Sequence, residues 1–237
     1  MDDAAPVLSV RDLAYRYPDG QPALEGITFD VSAGERLGVL GANGAGKSTL
    51  LLHLNGVLEG DGHVRVAGLP LEKRNLKAVR RLVGLVFQNP DDQLFCPTVY
   101  EDVAFGPRHM DLPEPEVRAR VAEALAEVGM AGFEKRSAFH MSFGEKKRVA
   151  IATVLAMKPA VLALDEPTSN LDPRGRRELA ALLRSLGGTQ IIVTHDLDFA
   201  RAHCTRALVL SHGRKVADGR TGEVLGDETL MGEHGLS

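Results

Sequence analysis

Excess positive charge, clustered metal ligands and a bilayer-length apolar run are all missing from this chain. Its 28 Lys and Arg residues are outnumbered by 32 Asp and Glu, for a formal net charge of -4. The broad positive field that nucleic acid requires is therefore absent, and no nucleic-acid partner is expected. The two cysteines, Cys96 and Cys204, stand at no metal or redox spacing, so reduced structural thiols are expected. The eight histidines are scattered singly. His203 beside Cys204 is a weak ligand pair that a packed thiol next to a turn histidine explains equally well. The N-terminus, Met1-Asp2-Asp3-Ala4-Ala5-Pro6, is acidic and lacks the regions of a signal peptide, and no apolar stretch could cross a bilayer, so a soluble cytoplasmic chain is expected. Internal repeats and low-complexity linkers are also lacking. With 237 residues, one compact α/β domain, or a core carrying a smaller insertion, is the expected scale.

What the chain does have is a phosphate-cradling loop. Gly41-Ala42-Asn43-Gly44-Ala45-Gly46-Lys47-Ser48-Thr49 matches G-x-x-x-x-G-K-[ST] and follows the apolar run ending Val39-Leu40. The glycines supply backbone angles that a Cβ would obstruct, which lets N–H groups turn inward around phosphate oxygens. Lys47 is expected to reach the β- and γ-phosphates, Ser48 to offer its hydroxyl to Mg²⁺, and the helix starting near Lys47 to aim its positive end at the anion. An ordinary glycine-rich strand-to-helix turn is the bland alternative, and the strand, loop and helix context speaks against it.

Further along, Pro18-Asp19-Gly20 predicts a turn at a hairpin-rich edge, and the 47–55 segment predicts a helix closed by Gly56. Short apolar runs at 63–66, 82–87, 160–164 and 190–193 read as strands, and 174–186 as a helix between the last two. From Thr98 to Met157 helix formers dominate, notably over 115–128, so this stretch reads as a helical insertion. The segment from Ala207 to Val216 predicts a closing hairpin. Strands alternating with helices imply a parallel sheet whose strand ends gather the phosphate loop, Asp165, Glu166 and His195. Lys73, Arg74, Lys77, Arg80 and Arg81 are expected on one solvated helical face.

Leu162-Ala163-Leu164 delivers Asp165 to a strand end, the arrangement that holds Mg²⁺ beside a phosphate loop. The adjacent Glu166 is placed to orient and deprotonate an attacking water. Ser142 with Glu145 three residues on forms a capping box at the start of a helix over 146–157, whose exposed N–H groups make a second phosphate half-site.

Together with Gln88, Ser169-Asn170-Leu171-Asp172 and His195, these segments resemble the nucleotide-binding subunit of an ABC transporter over essentially the whole chain. The resemblance implies an α/β P-loop NTPase (RecA-like) core with an N-terminal antiparallel β subdomain and an inserted helical subdomain. It implies one ABC ATPase domain over 1–237, with 1–89 and 159–237 as core and 90–158 as the helical signature subdomain. It implies hydrolysis of Mg²⁺-bound ATP sandwiched between two copies of the subunit. Gly41, Asn43, Gly44, Ala45, Gly46, Lys47, Ser48 and Thr49 would hold the nucleotide, and Tyr17 would stack on adenine, with Tyr15 competing for that place. Ser48, Asp165 and Gln88 would surround Mg²⁺, Glu166, His195 and Lys47 would be catalytic, and Asp172 would couple the two sites. Ser142 and Gly144 would complete the site across the dimer.

The commonest signature in that family reads Leu-Ser-Gly-Gly-Gln, whereas this chain has Met141, Phe143 and Glu145 in place of Leu, the first Gly and Gln. Phe143, Glu145 and the segments 88–95, 97–99 and 101–106 are similar to those of energy-coupling-factor importers, with the cobalt and nickel branch the nearest. Importers of vitamins such as biotin use very similar ATPases. The resemblance therefore implies a peripheral protein on the cytoplasmic face of the membrane. A transmembrane coupling subunit would dock near 88–95, and a substrate-binding membrane subunit would act indirectly. Asp91 and Asp92 are either part of that docking surface or solvated loop charges. A soluble ATP-driven clamp on DNA or ribosomes would carry a long coiled coil or tandem cassettes, and this chain has neither. A nucleotide-gated module without turnover would not need both Glu166 and His195.

Overall fold

A computed structural model describes residues 5–236 of the chain. The first strand, β1 (Leu8–Arg16), buries Leu8, Val10 and Leu13 on one face and pairs antiparallel with β2 (Pro22–Val31), so that Leu8 faces Val31 and Arg16 faces Pro22. Between them Gly20, at φ 87°, closes the turn by donating its N–H to the Tyr17 carbonyl at 2.8 Å. Then come β3 (Arg36–Leu40), α1 (Lys47–Leu54), β4 (Asp61–Val66), β5 (Leu69–Pro70), α2 (Leu76–Leu82) and β6 (Val83–Val86). The helical stretch holds α3 (Val99–His109), α4 (Glu114–Glu127) and α5 (Phe143–Leu155). The remainder alternates: β7 (Val161–Asp165), α6 (Pro173–Ser185), β8 (Thr189–Val193), α7 (Leu197–His203), β9 (Arg206–Ser211), β10 (Arg214–Arg220), α8 (Thr221–Val224) and α9 (Glu228–Glu233). Among the described residues no helix is long and apolar enough to cross a membrane.

The chain divides into two compact units. The first, residues 1–85, 160–166 and 188–237, contains the N-terminal sheet, in the order β2-β1-β4-β5, and nearly all of a six-stranded sheet, in the order β10-β9-β3-β8-β7-β6. In the larger sheet β3 runs parallel to both β8 and β9, and β7 parallel to β8. Between their polar ends these strands are apolar, and Leu37, Val39, Leu40, Ile191, Ile192 and Val193 are fully buried, the pattern of strands covered on both faces. Three carboxyl ends thereby open at one edge: that of β3 into the phosphate loop, that of β7 at Asp165, and that of β8 before His195. The expected closing hairpin is β9–β10, antiparallel as predicted. The terminal helices are held by an apolar cluster in which Val224, Leu225, Met231 and Leu236 pack with Leu40, Ala200, Ala207 and Val209.

One ion-pair cluster ties this unit together. Arg206 on β9 forks onto Asp218 of β10, with Nε donating to Oδ1 at 2.6 Å and Nη2 to Oδ2 at 2.9 Å, while Nη1 reaches the Asp30 carbonyl at 2.9 Å. Burial acts to raise the Asp218 carboxyl, but Arg206 and Lys215 more than offset it and hold it below the usual carboxylate range. A depressed folded pKa gives stability that is present above the ordinary Asp range and is lost as pH falls through the depressed value. Arg206→Ala is expected to cost about 2–3 kcal/mol at neutral pH, less than a fully buried pair, because the Arg206 side chain keeps 28% of its surface exposed. Chemical denaturation at pH 7 and again near pH 2 checks this: the gap between variant and parent should narrow in acid.

The second unit, residues 86–159 and 167–187, is built from α3 to α6. Each helix start has a local cause. Thr98 caps α3 by accepting the Glu101 N–H at 3.3 Å, Pro115 opens α4, and Asp172 caps α6 by accepting the Gly175 N–H at 2.6 Å. The α5 helix begins at the expected capping box, with Ser142 and Glu145 satisfying each other's backbone N–H. One expectation is corrected. The basic run does not form a single solvated face: Lys73 and Arg74 lie in a 3-10 turn (Lys73–Asn75), while Arg80 on α2 donates to the Asn55 and Gly56 carbonyls at 3.4 and 2.8 Å. Those carbonyls end α1, where a cation satisfies the helix C-terminus.

Candidate nucleotide site

The phosphate loop is held open by backbone geometry. Gly44 and Gly46 sit at φ 79° and 99°, and Gly46 is the left-handed N-cap of α1. A Cβ on Gly46 would lie 2.5 Å from the Ala23 carbonyl, and one on Gly213, in the β9–β10 turn, 2.8 Å from the same oxygen. Gly213 in turn donates its N–H to the Ala45 carbonyl at 3.1 Å, so the hairpin braces the loop. Inside the loop the Lys47 ammonium donates to the carbonyls of Gly41 at 2.7 Å and Ala42 at 3.0 Å. Burial pulls Lys47 below the usual lysine range, while the Glu166 and Asp165 carboxylates pull it back up. Ser48 Oγ donates to Asp165 Oδ1 at 3.1 Å. At the rim, Tyr17 and Thr49 share a hydroxyl–hydroxyl hydrogen bond of 2.7 Å. Tyr15 sets its edge against both Tyr17 and the buried His53, at ring separations of 5.2 and 4.7 Å, leaving Tyr17 as the more exposed ring.

Glu166, next after β7, is the strained residue of this edge. It adopts φ 43°, a left-handed conformation that costs a non-glycine residue energy and that concentrates at functional sites. Its backbone N–H is held by the Val193 carbonyl at 2.9 Å. Its carboxylate, 9% exposed, has Oε1 2.7 Å from His195 Nδ1 and accepts Thr194 Oγ1 on Oε2 at 3.2 Å. A buried carboxylate is thus gripped at both oxygens while the His195 ring stands 62% exposed. The structure therefore places Lys47, Ser48, Asp165, Glu166, His195, Tyr17 and Thr49 in one unit, with direct bonds between Ser48 and Asp165 and between Glu166 and His195.

Gln88, Ser142, Gly144 and Asp172 belong to the second unit. Ser142 and Gly144 line a groove with Arg148, Asn170, Asp172 and Arg174. Within it the Ser142 hydroxyl donates to Glu145 Oε2 at 2.7 Å, and this bond with its backbone companion holds the Glu145 carboxyl below the usual range. Gly144 approaches Leu171, so the helix start and the 169–172 segment are packed together.

A loop of this form beside a strand-end Asp-Glu pair suits nucleotide phosphates, and comparison with known proteins shows the family. Residues 24–169 match the family model described as ABC transporter. The chain belongs to this family. It is an ATP-hydrolysing ABC transporter ATPase domain. A Streptomyces avermitilis protein carrying an ABC transporter ATP-binding name is 59% identical to this ATPase over 234 residues, covering 98% of this chain and 89% of its own. The energy-coupling factor transporter ATP-binding protein EcfA of Methanothermobacter thermautotrophicus is 51% identical over 231 residues, covering 95% and 74%. The structure of cbiO1 from Clostridium perfringens, described as part of the ABC transporter complex cbiONQ, superposes with a TM-score of 0.85 at 41% identity, covering 97% and 94%.

Sequence reasoning missed three residues of this ATPase. Thr194 was hidden because its partner, Glu166, is 28 positions away and only the parallel β7–β8 pairing joins them. His53 donates through Nδ1 to the Thr49 carbonyl at 2.7 Å, a bond internal to α1 that a scattered histidine does not announce. Lys147 is 1% exposed on α5. Its one signal was a lysine in the stripe Lys147, Ile151, Val154 that otherwise reads as apolar.

Proposed function

We propose that the chain powers a membrane importer of the energy-coupling-factor type for cobalt or nickel ions, working as a pair that encloses two ATP molecules. The observation that carries the catalytic part is the buried, doubly gripped Glu166 within electrostatic reach of Lys47. Water attacks the γ-phosphorus in line, the bond to the β-phosphate oxygen breaks, ADP leaves, and the water proton passes to the Glu166 carboxylate. Lys47 leaves its two loop carbonyls to meet the phosphates, and His195 orients Glu166 and meets the γ-phosphate. Tyr17 stacks on adenine, its hydroxyl fixed by Thr49.

The Ser48 hydroxyl and Asp165 carboxylate, 3.1 Å apart, are hard oxygen donors that suit Mg²⁺. Among the described residues no three His, Cys, Asp or Glu groups converge to hold a metal, so phosphate and water oxygens would complete the ion's shell, with Gln88 sensing it. When bound, the ion neutralises charge developing on the phosphoryl oxygens.

The paired reading is supported by Ser142 and Gly144 lying at a capped helix start, whose positive dipole end suits a phosphate. The partner copy would bring this start to the γ-phosphate, and Asp172 would couple the two sites. The membrane coupling subunit would dock along 88–95, which carries Asp91, Asp92 and the exposed Phe95.

Mixing two inactive chains tests the pairing. Lys47→Ala and Ser142→Glu should each abolish ATPase activity alone, and the mixture is expected to recover turnover because one of its two sites is then intact. No recovery would overturn the sandwich. For the cargo, vesicles containing the ATPase and its co-purifying membrane subunits should take up Co²⁺ or Ni²⁺ when ATP is supplied; uptake of biotin instead would overturn the metal assignment.

A further inference from the structure

Lys147 is the largest fully buried side chain in the described residues, and it is charged. Burying an ammonium is costly, and a Met or Leu would fill the same stripe of α5 without that cost. One of its contacts bears on function: Nζ donates to the backbone carbonyl of Gln88 at 2.6 Å, with the Phe143 ring 5.6 Å away. Two neighbouring ties reach from the same segment to the same helix. Lys146 Nζ meets Asp91 Oδ1 at 2.7 Å, and the Gln93 side chain donates to the Ala150 carbonyl and Thr153 Oγ1, both at 2.8 Å, while accepting the Phe87 N–H at 3.0 Å. The contacts at 146–147, 150 and 153 climb α5 at helical spacing, and all of them lie inside the second unit.

We propose that Lys147 is a positioning residue. From the buried face of α5 it fixes the Gln88 peptide, so that the segment 87–93 and the helix beginning at Ser142 shift as one body and Gln88 follows the state of the Ser142 end. Charge-assisted donation to a carbonyl in a low-dielectric interior is stiff and directional, and it suits this task better than apolar packing, which tolerates sliding. The proposal rests on the reading of Gln88 as the Mg²⁺ sensor.

The test compares the full chain with Lys147→Met, Lys147→Arg and Gln88→Ala by two readouts. The first is amide exchange of 87–94 without nucleotide, and the second is the Mg²⁺ concentration giving half-maximal ATPase rate. Lys147→Met should speed exchange in 87–94 by about tenfold, with the α5 amides unchanged, and should raise the Mg²⁺ requirement in the same direction as Gln88→Ala. Lys147→Arg, which keeps the charge, should recover part of both effects. Unchanged exchange in Lys147→Met overturns the tie. Faster exchange with an unmoved Mg²⁺ requirement, when Gln88→Ala does move it, overturns the positioning role. If neither variant moves it while exchange rises, the reading of Gln88 fails and the tie stands. Should Lys147→Met not fold, Gln93→Leu and Lys146→Ala, which cut the flanking ties, are expected to speed exchange in the same amides, and normal exchange in both counts against the proposal.

Discussion

Glu166→Gln is expected to slow ATP turnover by about 10²–10⁴-fold while leaving ATP affinity close to that of the parent chain. The substitution is nearly isosteric. The amide oxygen can still accept from His195 or from Thr194, which stand 2.7 and 3.2 Å from the carboxylate, so the strained backbone at φ 43° keeps its supports. What disappears is the group that takes the proton from the attacking water. The nucleotide is then held but not consumed, and the pair should stay closed, so that sedimentation with ATP shows a stable dimer. Quenched-flow measurement of a single turnover, alongside calorimetric ATP binding, separates the two effects. Parent-like turnover would remove Glu166 from the role of base.

Gly46→Ala should be among the most damaging changes in the phosphate loop. At φ 99° a Cβ is already disfavoured, and here it would also stand 2.5 Å from the Ala23 carbonyl, a backbone atom that cannot rotate away. The loop and β2 must part, which is expected to cost about 3 kcal/mol or more and to abolish nucleotide binding. Gly44→Ala is the informative comparison. Gly44 has a similar conformation, φ 79°, but open space where the Cβ would go, so only the conformational cost of about 1–2 kcal/mol applies. Thermal unfolding of the two variants side by side gives the contrast, and equal losses would show that the Ala23 contact is yielding.

Local chemistry was legible in the sequence, and contacts made by distant residues were not. The phosphate loop, the strand delivering Asp165 and the Ser142–Glu145 box each depend on residues within a few positions of one another, and each was found where expected. The helices over 115–128 and 174–186 were placed to within a residue or so because Pro115 and Pro173 start them. In contrast, α3 carries Gly106 and Pro107 inside it and does not read as a separate helix. It persists because Thr98 caps it, and Gly106 lets the Met157 side chain pack close against it. The short helices α7 to α9 have too few turns to declare themselves and exist because their apolar residues close over β3 and β9. Thr194 and Lys147 escaped for the same reason: each takes its meaning from a partner far along the chain.

The Ala23 carbonyl is the common stop for two glycines, one in the phosphate loop and one in the β9–β10 turn. The N-terminal sheet is accordingly a buttress for the anion cradle rather than outer packaging. Engineering that loosens β2 around Ala23, whether by grafting an epitope into the preceding turn or by swapping this ribbon for another, should register first as poorer grip on the triphosphate and only afterwards as a lower melting temperature.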